Sequence, residues 1–381
     1  MRYAFHDTRD MRLTIDARMM GAGNTRGIGR YIKEVTDHLR PLLDSNDELV
    51  LLEPKISWYG LAEQFKMPFV FRRAKADLVW VPHWNVPLLY RGPLAITIHD
   101  LLLVHQPASA KASTRGSIIS SIKRIGHRII LANAVRRARV IFVPTQAVAD
   151  DVRAHFPSAS SKLIVTGEGL SSLPRATHYS LLTTHYLLYV GSAYPHKRLD
   201  LLVAAWSVTA EKHPALSLVI TGKEDVFLGR IKKLVEERRI PRVHFAGPVD
   251  DQELAALYAH ATLFAFPTSF EGFGLPPIEA LAAGTPAVVS DIPVLREVLP
   301  TEGVFFFKNG DKDDMIRAIE TALAAGSQGR EAAARGGEEA RRRWTWEQVA
   351  RLTLDGLTHA QGQTLHTKDE PKKRSDMEAH E

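Results

Sequence analysis

Two carboxylates stand eight residues apart in the stretch TSFEGFGLPPIE, residues 268–279 of a 381-residue chain. Glu271 falls in the loop after a predicted strand, and Glu279 falls early in the helix that follows. A carboxylate accepts hydrogen bonds from adjacent hydroxyl groups, so this pair is suited to binding a sugar. The alternative interpretation is that Glu279 only stabilises the positive end of the helix dipole.

The same loop is suited to holding phosphate close to those carboxylates. Gly272 and Gly274 lack side chains, which lets the main chain approach a ligand closely. Pro276 and Pro277 predict that a helix begins there, because a proline in the first turn lacks only an N–H that would be unpaired anyway. The free N–H groups of that helix N-terminus would favour an anion.

Further polar residues follow the ends of other predicted strands. Lys197 lies in SAYPHKRLD after a strand that ends at Gly191, where an ammonium group could neutralise a diphosphate leaving group. His99 ends the strand in ITIHD, and Asp100 could orient its ring or cap the next segment. A lysine or histidine of this kind, taken alone, is more often a surface or structural residue. Thr145, in VPTQAVADDV, is predicted to cap a helix.

Apolar, β-rich runs alternate with longer helical patterns along the chain. Several of these runs are continuously apolar, which is typical of parallel strands covered by helices on both faces. Because the alternation occurs twice, it predicts two doubly wound α/β domains that bind ligands beyond the carboxyl ends of their strands. The predicted strands are Leu13–Arg18, Glu48–Glu53, Leu78–Pro82, Leu94–Asp100, Val140–Thr145, Lys162–Thr166, Tyr186–Gly191, Leu216–Thr221, Val243–Ala246, Leu263–Pro267, Ala287–Ser290 and Val304–Phe307.

The boundary between the two predicted domains lies in the polar, turn-rich stretch GLSSLPRATHYS. We expect a first domain over residues 12–172, a second over 173–340 and a closing helix over 341–358. The tail over 359–381 has almost nothing to bury and is predicted to be disordered. The cleft between two such domains is the expected active site.

The composition excludes several classes of protein. Apolar residues make up 45% and charged residues 24%, which is ordinary for a soluble globular protein. Cysteine is absent, which excludes a disulfide scaffold, a thiolate metal site and a cysteine nucleophile. No apolar run is long enough to span a membrane, and the charged start MRYAFHDTRDMRL does not resemble a secretory signal, so we expect a cytoplasmic protein. The sequence contains no convincing Asp-x-Asp metal site, and the acidic run from Asp311 is predicted to cap a helix.

Several stretches together resemble one family. EGFGLPPIEALAAGTPAVVSD is similar to the E-x7-E region of retaining glycosyltransferases of family GT4, and YVGSAYPHKRLDLLVAAW is similar to their phosphate-binding segment. GNTRGIGRYIKEV, ITIHDLLL and WTWEQVARLTLDGL resemble the glycine loop, the histidine segment and the closing helix. The resemblance covers residues 12–358 and implies the GT-B fold. In that α/β fold two Rossmann-like domains face a cleft, the second binds the nucleotide sugar, and the last helix crosses back to the first, acceptor-side domain.

The resemblance also implies roles for individual residues. The glutamate that matches Glu279 holds the ribose hydroxyls of the donor, and the one that matches Glu271 contacts the transferred sugar. The family often has arginine where His196 stands, which leaves open whether Arg198 or His196 joins Lys197 at the diphosphate.

On the first-domain side, the histidine that matches His99 approaches the donor sugar, so that His99, Glu271 and Lys197 form the implied catalytic set. Arg26 and Arg30, beside the glycine loop, are candidate anion contacts, although Arg30 could equally be a solvated first residue of a helix. The implied donor-binding residues are Gly27, Gly29, Gly191, Lys197, Arg198, Gly272, Phe273, Gly274, Leu275 and Glu279.

The reaction implied by the resemblance moves a sugar, with retention, from a nucleotide-diphospho-sugar to a hydroxyl of a glycan or lipid-linked glycan. Neither a protein nucleophile, a metal nor a further cofactor is expected, since the departing phosphate can take the acceptor's proton. The sequence EGFGLPPIEA and the short chain most resemble those of mannosyltransferases of surface-polysaccharide and O-antigen assembly. GDP-mannose is therefore the favoured donor, with UDP-glucose or another donor open.

Two other functions stay open at this point. GT-B sugar-nucleotide epimerases share the fold but lack the E-x7-E context. A nonenzymatic nucleotide-sugar-binding subunit would not need Glu271, Glu279, Lys197 and His99 together. Nucleic acid is not an expected partner, because no aromatic–basic RNA-binding motif is present.

The formal net charge of +6 is unevenly distributed. No Asp or Glu occurs from Leu101 to Ala149, and Ile118, Ile122, Ile125 and Ile129 recur there at helical spacing. Taken alone, the isoleucines favour a stripe that faces the core. The missing acids favour docking on an anionic membrane surface, which would make the enzyme peripheral at the cytoplasmic face. The basic residues of the stretch are Lys111, Arg115, Lys123, Arg124, Arg128, Arg136, Arg137 and Arg139.

Overall fold

The fold is described from a computed structural model of the chain. Within 117–124 the backbone alone is described. The predicted disordered tail, apart from its first four residues, and Arg26 lie outside the described residues. The residues that the structure describes are 11–20, 27–105, 117–172, 174 and 185–362.

The first lobe is built on a parallel sheet of six strands in the order β2-β1-β3-β4-β5-β6. Its central strands are buried along their whole length, as their continuously apolar sequences predict; LAIT of β4 is an example. The strands are β1 (Arg12–Asp16), β2 (Glu48–Leu52), β3 (Leu78–Val81), β4 (Leu94–Thr97), β5 (Val140–Val143) and β6 (Leu163–Val165).

The second lobe repeats this architecture with the strand order β12-β11-β10-β7-β8-β9, again all parallel. The two sheets confirm the predicted α/β fold of two doubly wound halves with six strands each. The strands are β7 (Tyr186–Val190), β8 (Ser217–Thr221), β9 (Val243–Gly247), β10 (Leu263–Phe266), β11 (Ala287–Asp291) and β12 (Val304–Lys308).

Helices connect the strands and cover both sheets. In the first lobe they are α1 (Ile28–Leu39), α2 (Leu61–Arg73), α3 (Leu102–His105), α4 (Ser117–Arg137) and α5 (Gln146–His155). In the second lobe they are α6 (Leu199–Lys212), α7 (Val226–Glu237), α8 (Asp251–His260), α9 (Leu275–Ala282), α10 (Pro293–Val298), α11 (Lys312–Ala324) and α12 (Gly326–Arg343). The last helix is α13 (Trp346–Gln361).

Helix α13 follows the second lobe in sequence but packs on the first. Trp346, Val349 and Leu357 are buried in the same apolar cluster as Leu13 of β1. The closing helix in the structure begins and ends later than the predicted range of 341–358. Residues 341–343 end α12, because the hydroxyl of Thr345 accepts the N–H of Gln348 and starts a new helix. Helix α13 runs to Gln361, three residues into the predicted tail, and stops at Gly362 with a φ of 91°.

Candidate functional site

The loop between β10 and α9 brings the two-glutamate motif to the carboxyl edge of the second sheet. Gly274 has a φ of 96°, which glycine adopts without strain, and it is the residue from which α9 begins at Leu275. Pro276 and Pro277 stand in the first turn, as the sequence predicts. The N–H groups of this helix end therefore lie directly after the loop that carries Glu271.

Lys197 and Glu271 form an ion pair at this edge, with 2.6 Å between Nζ and Oε1. Lys197 ends a short 3-10 turn, Pro195–Lys197, that follows β7. The side chains are 19% and 11% exposed, so both are largely withdrawn from water and still accessible. An ammonium and a carboxylate held this way can bind the phosphate and the sugar of one ligand.

The two neighbours of Lys197 have other surroundings and do not pair with Glu271. His196 is buried, and this burial, with a smaller effect from Lys197, lowers the pKa of its imidazole to about 3, which leaves the ring uncharged. Arg198 adopts a left-handed conformation with a φ of 51°, and its Nε lies 3.4 Å from Oδ1 of Asp200. Lys197 is thus the cation of the HKR sequence that meets Glu271.

Glu279 is buried one turn into α9 and is contacted from both lobes. The hydroxyl of Tyr258 donates to its Oε2 at 2.9 Å. From the first lobe, the guanidinium of Arg30 lies 3.6 Å from Oε1 and 3.0 Å from Asp251. A cavity of about 310 Å³ opens beside Glu279, and Leu170 also lines it. Arg30 is consequently a partner of the second lobe and not a solvated helix residue.

His99 follows β4, and its ring is held by residues of the first lobe. Its Nδ1 lies 3.3 Å from Oε1 of Glu168, and its Nε2 lies 3.2 Å from the carbonyl oxygen of Pro82. The ring of Tyr31 packs edge-on at 4.8 Å. Asp100 does not orient the ring; its carboxylate accepts the N–H of Leu102 and caps α3.

The two edges meet where His99 and Gly272 touch. A Cβ atom at Gly272 would lie 2.0 Å from the carbonyl oxygen of His99, so this contact requires glycine. Thr145 caps α5 as predicted, and its hydroxyl lies 3.2 Å from the carbonyl oxygen of Gly272. Glu297 of α10 reaches across and accepts the N–H groups of Gln146 and Ala147 at 2.6 and 2.8 Å. The structure therefore holds the lobes in contact beside the candidate site.

Other predicted donor-binding residues have mainly structural surroundings. The side chain of Phe273 is 3% exposed and packs edge-on against Trp344, which leaves only its main chain for a ligand. Gly27 precedes α1 with a φ of 63°, whereas Gly29 is buried inside that helix. Gly191 follows β7, and its carbonyl oxygen would lie 2.0 Å from a Cβ at Gly222, so these two turns pack tightly.

Three residues that sequence reasoning missed contribute to the site: Glu168 at His99, Tyr258 at Glu279, and Glu297 between the lobes. Glu168 follows β6, so its position after a strand end was the signal that could have found it. Tyr258 and Glu297 lie within helices, and no local pattern distinguishes them.

A separate cluster lies on the first lobe. The carboxylate of Asp151 contacts Nε2 of His105 at 2.8 Å and Nδ1 of His155 at 3.2 Å. Their ligand atoms lie within 4.8 Å of one another, a spacing that could hold a metal ion. The cluster touches Phe270, next to Glu271, through the ring of His105 at 5.2 Å. Of the helices in the described part of the chain, none has the length and apolar character to cross a membrane.

Comparisons with known proteins identify relatives of the chain. Residues 178–343 match the family described as Glycosyl transferases group 1. The chain is 26% identical to the O-antigen chain mannosyltransferase RfbU of Salmonella typhimurium, over 75% of this chain and 72% of that protein. It is 29% identical to the phosphatidyl-myo-inositol mannosyltransferase of Mycobacterium leprae, over 72% of this chain and 71% of that protein.

The solved structure of sucrose-phosphate synthase from Thermosynechococcus elongatus superposes with a TM-score of 0.71 at 20% identity, over 92% of this chain and 98% of that one. At this identity the likeness shows the fold, which is GT-B. The predicted glycosyltransferase resemblance is confirmed, and the alternative functions are not favoured. Over residues 178–343 the chain carries a Glycosyl transferases group 1 domain, and its two lobes together have the GT-B fold.

Proposed function

We propose that this enzyme transfers a hexose, with mannose favoured, from a nucleoside-diphospho-sugar to a hydroxyl of a glycan or lipid-linked glycan, with retention. The observation that carries the proposal is the Lys197–Glu271 pair in the loop before α9, where the neighbouring Gly272 packs against the main chain of His99 of the other lobe. The mannosyltransferase relatives support mannose, and GDP is the favoured carrier.

Charge stabilisation by the protein can support the chemical step. As the bond between the anomeric carbon and the diphosphate breaks, negative charge develops on the departing oxygen. Lys197 and the N–H groups at the start of α9 are placed to stabilise that charge. The acceptor oxygen bonds to the same face of the anomeric carbon, and its proton passes to the departing phosphate. No metal is needed for this balance of charge.

Donor binding must reorganise two ion pairs. Lys197 contacts Glu271 at 2.6 Å, and Arg30 lies 3.6 Å from Glu279. In the proposed complex Lys197 and Arg30 turn toward the diphosphate, which frees Glu271 for the transferred sugar and Glu279 for the ribose hydroxyls. Before the donor binds, each carboxylate is therefore neutralised by its basic partner, Glu271 by Lys197 and Glu279 by Arg30.

A panel of GDP-, UDP-, ADP- and dTDP-sugars in a thermal-shift assay tests the donor assignment on the full chain. GDP-mannose is expected to raise the melting temperature most, because a ligand stabilises the state that binds it. Stabilisation by another sugar nucleotide would replace GDP-mannose as the donor. No response to any nucleotide would contradict the proposed function. Isomerisation of a sugar nucleotide without acceptor would instead identify an epimerase.

We also propose that the first lobe docks on an anionic membrane surface and thereby reaches a lipid-linked acceptor. Ile125 and Ile129 are 60% and 53% exposed, so this part of the isoleucine stripe does not face the core. Arg128 lies beside them and is exposed. Exposed basic residues near such a surface contribute about 1 kcal/mol each to the free energy of binding.

Helix α2 of the same lobe carries a second exposed apolar stripe. Leu61, Phe65 and Phe69 recur every four residues and are 81%, 67% and 57% exposed, with Arg73 stacked over the ring of Phe69. Not every arginine of the acid-free stretch is available, because Arg137 donates to main-chain carbonyls of the first lobe.

Sedimentation with vesicles tests the docking. Binding should require phosphatidylglycerol, fall with salt, and weaken at least tenfold when Lys123, Arg124 and Arg128 become glutamine. A variant with Lys212, Lys232 and Lys233 of the second lobe changed to glutamine loses the same charge and should bind normally. Equal sedimentation with neutral and anionic vesicles, or none with either, would contradict the docking and leave the transferase function intact.

A further inference from the structure

Aromatic rings form a wall on the first lobe beyond the carboxyl ends of β2 and β3. The ring of Tyr59 lies at its centre, 6.0 Å from Trp84, 6.1 Å from His83 and 5.3 Å from His127. Trp58 closes the wall at 5.7 Å from His83. The carbonyl of Pro82, which precedes His83 in the chain, contacts Nε2 of His99, so the wall borders the candidate active site.

Tyr59 is both exposed and strained. Its φ of 61° places a bulky residue in the left-handed region, which costs on the order of 1–3 kcal/mol. Its side chain is nevertheless 48% exposed, so packing of the ring does not by itself account for that conformation. Strained residues that persist in this way concentrate at ligand-binding sites.

A buried network holds Tyr59 in this conformation. Its N–H donates to Oε2 of Glu63 at 2.7 Å, and the side-chain amide of Asn85 donates to the same oxygen at 2.9 Å. The other oxygen of Glu63 pairs with Arg18 at 2.8 Å, and Arg18 also pairs with Asp16 at 2.7 Å. All three charged side chains are at most 2% exposed.

His83 determines which hydrogen bond Tyr59 can offer. The N–H of Asn85 donates to Nδ1 of His83 at 3.0 Å, and burial lowers the pKa of this ring to about 3. The neutral ring therefore carries its proton on Nε2, which lies 3.4 Å from the hydroxyl of Tyr59. Since the hydroxyl accepts from His83, that contact leaves its own hydrogen for a further acceptor.

We propose that Tyr59 is the stacking platform for a pyranose ring of the acceptor glycan, held in place by the buried Glu63, Arg18 and Asp16. The C–H face of a sugar ring is apolar and packs on the exposed ring of Tyr59, while a sugar hydroxyl accepts its O–H. This inference rests on the proposed transfer to a glycan and adds the residue that selects a sugar over another hydroxyl compound.

Saturation-transfer NMR with methyl α-D-mannopyranoside and methyl α-D-glucopyranoside on the full chain tests the platform. At least one of the two should receive saturation on its ring protons, and Tyr59→Ala should reduce that signal at least fivefold. Tyr59→Phe should retain more of it, because the ring remains and only the hydroxyl is lost. Phe306→Ala, a half-buried ring on β12, serves as the control and should change nothing.

Tyr59→Gly separates binding from structure. Glycine adopts a φ of 61° without strain, so this variant should melt at the same temperature as the unmodified chain or higher, yet bind neither glycoside. Retained saturation in Tyr59→Ala and Tyr59→Gly, or no saturation of either glycoside by the unmodified chain, would overturn the platform. GDP binding by the same variants should be unchanged; its absence from the unmodified chain would contradict the donor assignment separately.

Discussion

The two sides of the cleft are built on opposite principles. On the second lobe, Lys197 and Glu271 are partly exposed and pair with each other, so a ligand can exchange with either. On the first lobe, Asp16, Arg18 and Glu63 are fully buried and support Tyr59 from below. The charged side chains of the second lobe are therefore accessible to a ligand. Those of the first lobe instead hold the conformation of Tyr59.

Removing the buried cation should have the largest effect on stability. Arg18→Met leaves Asp16 and Glu63 without a counter-charge and should lower the free energy of unfolding by about 3–5 kcal/mol. Arg12→Met, which removes an exposed pair with Glu48, should cost at most about 1 kcal/mol. Urea unfolding measures the free energy of unfolding of both variants. Equal losses in Arg18→Met and Arg12→Met would contradict the structural role of the buried charges.

Removing the accessible cation of the second lobe, Lys197, should have the largest effect on rate. Lys197→Ala should lower turnover about 10²–10³-fold with little loss of stability, because in the proposed mechanism it removes one charge that stabilises the transition state. Arg198→Ala should cost less than tenfold, since that side chain pairs with Asp200. Steady-state kinetics with saturating donor checks this, and near-normal turnover in Lys197→Ala would contradict the site.

The first lobe should also show a specific dependence on pH. Burial, with smaller contributions from His99 and Arg18, lowers the pKa of His83 to about 3, against about 6.5 in an unfolded chain. Between these values only the unfolded chain binds the proton, so stability is lost as the pH falls below about 6.5. His83→Gln should reduce this slope by one proton, about 1.4 kcal/mol per pH unit. Urea unfolding from pH 4 to 6 measures how the free energy of unfolding depends on pH. If that dependence is the same in His83→Gln, groups other than His83 cause it.

The contact between the lobes should have the smallest effect. Glu297→Ala removes the carboxylate from the first N–H groups of α5 and should cost about 1–2 kcal/mol of unfolding free energy. Glu302→Ala breaks an exposed pair with Arg335 and should cost less than about 1 kcal/mol. If the two variants melt alike, the contact of Glu297 does not stabilise the joined lobes.

The same contrast explains what sequence could predict. The strands were recognisable because buried parallel strands are continuously apolar, and Glu271 and Glu279 because one loop and one helix carry both. Glu168 reaches His99 across 69 residues, and Tyr258 reaches Glu279 from a different helix. Such contacts arise when separate elements pack together, so the spacing of residues within one stretch of sequence does not predict them. The strain at Tyr59 is equally invisible, because only the folded backbone has a φ.

Calorimetric titration of GDP into the full chain and into Glu279→Gln tests the central claim most directly. Glu279 is buried one turn into α9 and is the proposed partner of the ribose hydroxyls. Replacing a charged acceptor by a neutral one should weaken GDP binding at least tenfold, since hydrogen bonds to charged groups contribute about 1.5–3 kcal/mol. Equal affinity of the two proteins for GDP would show that the nucleotide does not bind at the second-lobe motif.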